Sequence, residues 1–93
     1  MLDDKTYDRF KYFLECYFNP SAYYSELDDL IKEFNTIEPE INKSRLKQEL
    51  KKLILNENIN DTKEFIRKFG MRNMPIEKVK WFIEYLDSNI TEK

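Results

Sequence analysis

Histidine is absent from this 93-residue chain, and cysteine and glycine each occur once. Without histidine there is no ordinary general base, no imidazole metal ligand and no side chain that switches charge near neutral pH. A lone Cys16 cannot form an intrachain disulfide, so a reducing compartment is the economical expectation. One glycine and three prolines leave too little turn chemistry for a many-stranded fold, whose hairpins need residues at positive φ. No apolar run approaches the ~20 residues of a membrane span. The start MLDDKTYDRF lacks the basic-then-apolar pattern of a signal peptide. A cytoplasmic protein without membrane contact is the expectation. Aliphatic residues are also sparse, so rings must fill the core.

Rings are what the chain has. They make up 15% of it, and seven of the fourteen lie in the stretch FKYFLECYFNPSAYY, residues 10 to 24. A chain of this length buries roughly 65% of its extended surface, enough for one thin core, and residues 1–93 read as a single domain. The expected fold is all-α, a single-domain bundle of about five helices at roughly 3–18, 21–35, 39–56, 61–69 and 75–90.

The first helix should start at Asp3 or Asp4, whose carboxylates suit a helix N-terminus. Tyr7, Phe10, Phe13, Leu14, Tyr17 and Phe18 then repeat with helical spacing, and Asn19-Pro20 stops the run. Core packing is the ordinary reading of that stripe. A second helix begins near Pro20 or at Ser25, where Ser25-Glu26-Leu27-Asp28 resembles a capping box, and Tyr23, Leu27, Leu30, Ile31 and Phe34 share its inner face. Pro39 opens a third helix with Leu46, Leu50, Leu53 and Ile54 inward. After the asparagine-rich run 56–60, Asp61-Thr62-Lys63-Glu64 reads as a capping box for a fourth helix carrying Phe65, Ile66 and Phe69. Gly70 should end it in the left-handed region. Pro75 opens a fifth helix burying Ile76, Val79, Phe82, Ile83, Leu86 and Ile90, with a frayed end at 91–93. Trp81 and Tyr85, four apart, lie on a neighbouring strip and either widen the core face or stay half exposed.

Net charge is −2, but residues 1–42 carry ten acids and four bases whereas residues 43–93 carry eight acids and twelve bases. Glu26 to Glu40 holds six acids against Lys32 alone. Such a face is either ordinary solvated surface or a docking surface for a basic partner. Residues 43–72 hold nine bases and four acids, and Lys43, Arg45, Lys47, Lys51 and Lys52 could lay a basic face on phosphates. The pI near 5 and the acidic half oppose direct nucleic-acid binding. Cys16 has no base to activate it and reads as a half-buried structural thiol. Asp3-Asp4 and Asp28-Asp29 look like exposed helix starts rather than an acid/base pair, and glycine-rich phosphate loops and calcium loops are missing. No catalytic residue, cofactor site or metal site is expected; the chain reads as a non-enzyme.

Five segments in order resemble the small helical immunity proteins of bacterial contact-dependent growth inhibition systems. They are Phe13-Leu14-Glu15-Cys16-Tyr17-Phe18; Leu30-Ile31-Lys32-Glu33-Phe34; Leu46-Lys47-Gln48-Glu49-Leu50-Lys51-Lys52-Leu53; Phe69-Gly70; and Val79-Lys80-Trp81-Phe82-Ile83-Glu84-Tyr85-Leu86. Together they span about residues 7 to 90. After Tyr-Phe this chain continues Asn19-Pro20-Ser21, where the family often has a polar segment with an acid. The resemblance implies a cytoplasmic antitoxin, a non-catalytic toxin inhibitor acting through protein–protein interaction. It would bind one cognate toxin C-terminal domain, often a nuclease, as a monomer and 1:1. The expected toxin-binding surface is Tyr23, Tyr24, Glu26, Asp28, Asp29 and Glu33, with Glu38 and Glu40 at its rim. The alternative expectation is a small helical regulatory or nucleic-acid-binding domain using the basic face of residues 43–72.

Overall fold

In the computed structural model, which describes residues 2 to 91, the ring stripe of the first helix turns inward as its spacing predicts. Phe10, Phe13, Leu14 and Phe18 are fully buried, and Tyr7 and Tyr17 are half-buried against them. The chain is all-α. Its helices are α1 (Asp8–Cys16), α2 (Leu27–Ile37), α3 (Glu40–Leu55), α4 (Ile59–Gly70) and α5 (Ile76–Asn89), with a 3₁₀ turn at Tyr24–Glu26 leading into α2. Among the described residues there is no strand, and no helix is long and apolar enough to cross a membrane. α3 packs on α5 and α1; α4 packs on α1 and α5. Leu27, Ile31 and Phe34 bring α2 onto the same core, where Phe34 meets the Phe13 and Tyr17 rings edge-on at 5.5 and 5.1 Å.

The predicted inner faces hold in the main, but Tyr23 and Ile54 are exposed and Leu30, Phe69 and Ile76 half-buried, while Met74 joins the core from the linker. The ends differ more. Asp3 does not start α1. Its carboxylate accepts from the Lys5 amide and the Thr6 hydroxyl, closing a separate turn, and the helix begins at Asp8. α1 also stops at Cys16, two residues early, because the Phe18 amide reaches back five residues to Phe13 O at 2.9 Å and swings its ring onto Phe82. Ser25 caps nothing. Asn19 Oδ1 instead folds the Pro20 corner by accepting from the Ser21 amide and hydroxyl, and Glu26 Oε1 accepts from the Tyr23 amide at 2.8 Å to close the 3₁₀ turn. Helix α4 starts at Ile59 behind Asn58, so Asp61 lies inside its first turn.

Gly70 was expected in the left-handed region but is the last helical residue; Met71, at φ 51° and ψ 39°, takes that conformation. A Cβ on Gly70 would stand 3.4 Å from Leu14 Cδ2 and 3.7 Å from Ile66 Cγ2, ordinary contact distances, so neither its backbone nor its packing demands a glycine there. Thr91 was expected to fray, yet its amide donates to Asn35 Oδ1 at 2.9 Å; residues 92 and 93 of that expected frayed end lie outside the described residues.

None of the five helices has a side-chain cap at its N-terminus from its own N-cap residue. Other helices supply the partners for the helix ends. Glu49 of α3, buried, accepts from the Phe10 amide at 2.8 Å and the Arg9 amide at 3.2 Å, two free donors of the first turn of α1. Lys43 Nζ donates to Asn35 O near the end of α2, and Lys47 Nζ donates to Asp87 O and Ile90 O at the end of α5. Asn35 Nδ2 donates to Asn89 O, which ties the two C-terminal ends together. Two negative helix ends thus lie side by side, and the lysines of α3 neutralise both.

Two outcomes follow for stability. Burial pushes the Glu49 carboxyl up to about 7 against a reference of 4.5, despite the two amides that favour its charge. Folding therefore favours the protonated form: its contribution is complete below the unfolded value and is lost as pH rises through about 7. Urea melts should show wild type losing about 2–3 kcal/mol between about pH 5 and about pH 8 that a Glu49→Gln variant does not lose. Separately, Met71→Gly should raise unfolding free energy by about 1 kcal/mol, since it relieves a left-handed side chain at an exposed position.

Candidate partner-binding surface

The eight residues expected to form the surface divide into three groups. Tyr23, Tyr24, Asp28, Asp29 and Glu33 are exposed on the molecule's second helix and the turn before it. Glu26 is exposed too, but its carboxylate closes the 3₁₀ turn. Glu38 and Glu40, expected at the rim, each have partners within the fold.

Glu38 is half-buried and accepts from the Tyr17 hydroxyl at 2.6 Å, Asn42 Nδ2 at 2.8 Å and the Tyr12 hydroxyl at 2.9 Å. Burial opposes its charge, but the three donors outweigh it and hold the carboxyl below the usual range. Burial and then the same carboxylate push the Tyr17 phenol well up; the Glu38 hydrogen bond is the chief cause for Tyr12. This knot fastens α1 to the α2–α3 corner. Glu40 pairs with Lys43 at 2.8 Å, on the ammonium that reaches the end of α2.

What remains is a row of rings edged by acids. Phe18, buried, meets Tyr24 at 5.4 Å; Tyr24 meets Trp81 edge-on at 6.3 Å; Trp81 stacks on Tyr85 at 4.9 Å with ring planes 21° apart. The Tyr85 hydroxyl donates to Asp28, which raises its phenol and joins α5 to the first turn of α2. Tyr24 is 36% exposed and Trp81 38%, so the row surfaces as it leaves the core. Asp29 and Glu33 stand one turn apart on the outer face of α2, and neither forms an ion pair. Trp81 and Tyr85 are therefore site residues that the acidic stretch did not reveal. Their signal was a ring pair at i and i+4 outside the buried series of α5.

The basic stretch 43–72 is divided among structural tasks. Besides Lys43 and Lys47, Lys63 Nζ donates to Met74 O at 2.7 Å, and Arg72 donates to Asn19 O and Ala22 O, strapping the Pro20 corner. Lys51 pairs with Asp87 and Arg67 with Glu64. Arg45 and Lys52 stay exposed beside a 250 Å³ pocket that also holds Asp8 and Glu49. That pocket is where paired carboxylates meet, but both Glu49 oxygens are occupied by the amides of α1. Cys16, expected half-buried, is exposed, because α1 ends there and the Phe13–Leu14 stripe faces the other way. Among the described residues no group of three or more acid or thiol side chains converges as a metal site.

No family model, curated protein or solved structure matches this chain. The geometry of the surface must therefore carry the functional reading.

Separating structural from exposed acids yields a measurable contrast. Glu38→Ala should lower unfolding free energy by about 2 kcal/mol, because two phenols and an amide lose their acceptor. Since the carboxyl is depressed, wild type should lose this advantage as pH falls below about 4.5, and acid titration of both proteins by circular dichroism checks it.

Proposed function

We propose that this chain is an immunity protein of the contact-dependent growth inhibition type: it binds one cognate toxin domain, a nuclease, and covers its substrate-binding or active surface. The observation that carries the reading is that α2 exposes two carboxylates in no ion pair, Asp29 and Glu33, while its first turn, through Asp28, is joined to a ring row that reaches the surface at Tyr24 and Trp81. A nuclease surface is positive because it must hold phosphates. Carboxylates with no cation of their own chain steer association towards such a surface, and rings supply the desolvated area that holds the complex once formed. The ordered segments that resemble the immunity family support the same reading, and Tyr17-Phe18 and the Trp81 helix are two of them.

The protein acts without chemistry of its own in this reading. Its acids on α2 exclude substrate by occupying the cations that substrate would use, and its rings exclude water from the contact. Cytoplasmic action as a monomer in a 1:1 complex belongs to the same proposal.

Growth rescue provides the test. Co-expression with the toxin domain encoded directly upstream should restore growth, and the two proteins should co-purify; growth arrest with no complex would overturn the proposal. Reversing Asp29 and Glu33 to lysine should weaken binding at least about 10-fold, mostly through a slower association rate, with helical circular dichroism unchanged. Unaltered affinity would remove α2 from the interface.

A further inference from the structure

The ring row carries cations at regular steps. The Arg72 guanidinium lies 4.0 Å from the Phe18 centroid and 5.3 Å from Tyr24; the Lys78 ammonium lies 4.5 Å from Tyr24 and 4.4 Å from Trp81. Each successive ring pair up to Trp81 thus has a cation of the chain itself above it. Trp81, with Lys78 over it, stacks on Tyr85; Tyr85 is the one ring of the row with no cation over it, and it has instead a carboxylate beside it, Asp28, held by its own hydroxyl. A ring face next to a carboxylate attracts positive charge twice over, through the quadrupole and through the anion.

Resting on the reading of this side as the partner surface, we infer that the Trp81–Tyr85–Asp28 step receives an arginine side chain of the partner protein. A guanidinium suits the step better than an ammonium. It is planar and weakly hydrated, so it can stack on a ring while its edge donates to the adjacent carboxylate, whereas a lysine ammonium meets one of these as a point charge. The arginine would continue the alternation that Arg72 and Lys78 begin. The arginine would meet the Tyr85 ring, which is only partly buried, beside Asp28, which lies at the surface.

Trp81 is the single tryptophan, so its fluorescence reports on this step directly. The full chain is titrated at low salt with a hexa-arginine peptide and, separately, with a hexa-lysine peptide. Hexa-arginine should change Trp81 emission along a saturating curve, at least about five-fold tighter than hexa-lysine. Asp28→Asn and Tyr85→Leu should each remove that preference, while an Asp29→Asn, Glu33→Gln double variant should weaken both peptides alike. Equal binding of the two peptides, no emission change, or an unaltered preference in Asp28→Asn would overturn the inference. Growth rescue that persists in those cases would leave the proposed function standing, and an arginine preference without rescue would leave this step standing alone.

Discussion

Satisfying helix ends at a distance is the constraint on which this fold depends. A helix leaves amides free at one end and carbonyls free at the other, and five helices in ninety-odd residues multiply the problem. This chain meets it with side chains from across the bundle: Glu49 on the amides of α1, Lys43 and Lys47 on the carbonyls of α2 and α5, and Arg72 on the loop carbonyls after α1. Three of these four residues sit on α3. That helix is the frame, and Lys43 and Glu49 are buried on it beside its leucines. Removing Glu49 or Lys47 leaves backbone groups unpaired in a nearly closed setting, which costs more than the loss of an exposed ion pair.

The same fact explains what could be seen in the sequence. Helix number, order and inner faces were legible because apolar residues recur at the helical period, and burial follows that period in Phe10–Phe13–Leu14 and in Val79–Phe82–Ile83–Leu86. Helix ends were not. Capping signals are local by construction: Ser25 and Asp61 satisfied the local pattern without capping a helix, while the partners of the α1 and α5 ends lay about forty residues away. Gly70 misled for a related reason. The helix runs one residue further than the glycine signal suggests, so Gly70 stays helical and Met71 makes the left-handed turn.

The candidate surface was half legible. The acidic stretch from Glu26 to Glu40 was legible as a concentration of charge, but charge alone does not separate a carboxylate that holds the fold from one that is available. Glu38 holds two phenols and an amide, Glu40 holds Lys43 and Glu26 closes a turn, whereas Asp29 and Glu33 hold nothing. The lysine-rich third helix shows the same ambiguity in reverse. A run that looks like a phosphate-binding face places two ammonium groups on helix carbonyls, where polymer phosphates could reach them only by breaking the bundle.

This division of labour makes the outer face of α2 independent of the core. Leu27, Ile31 and Phe34 fix the helix, and the Glu38 knot and Asn35 fix its far end, so no stabilising contact passes through Asp29 or Glu33. Changes at those positions alter charge and association without touching packing. The ring row is different, because Tyr24 and Phe18 continue it into the core. A partner that engages Trp81 and Tyr85 therefore meets side chains already ordered by the fold, and less side-chain entropy is lost on binding than with free surface rings. Adjustable acids beside a fixed ring row can be matched to one basic partner after another while the five-helix frame stays the same.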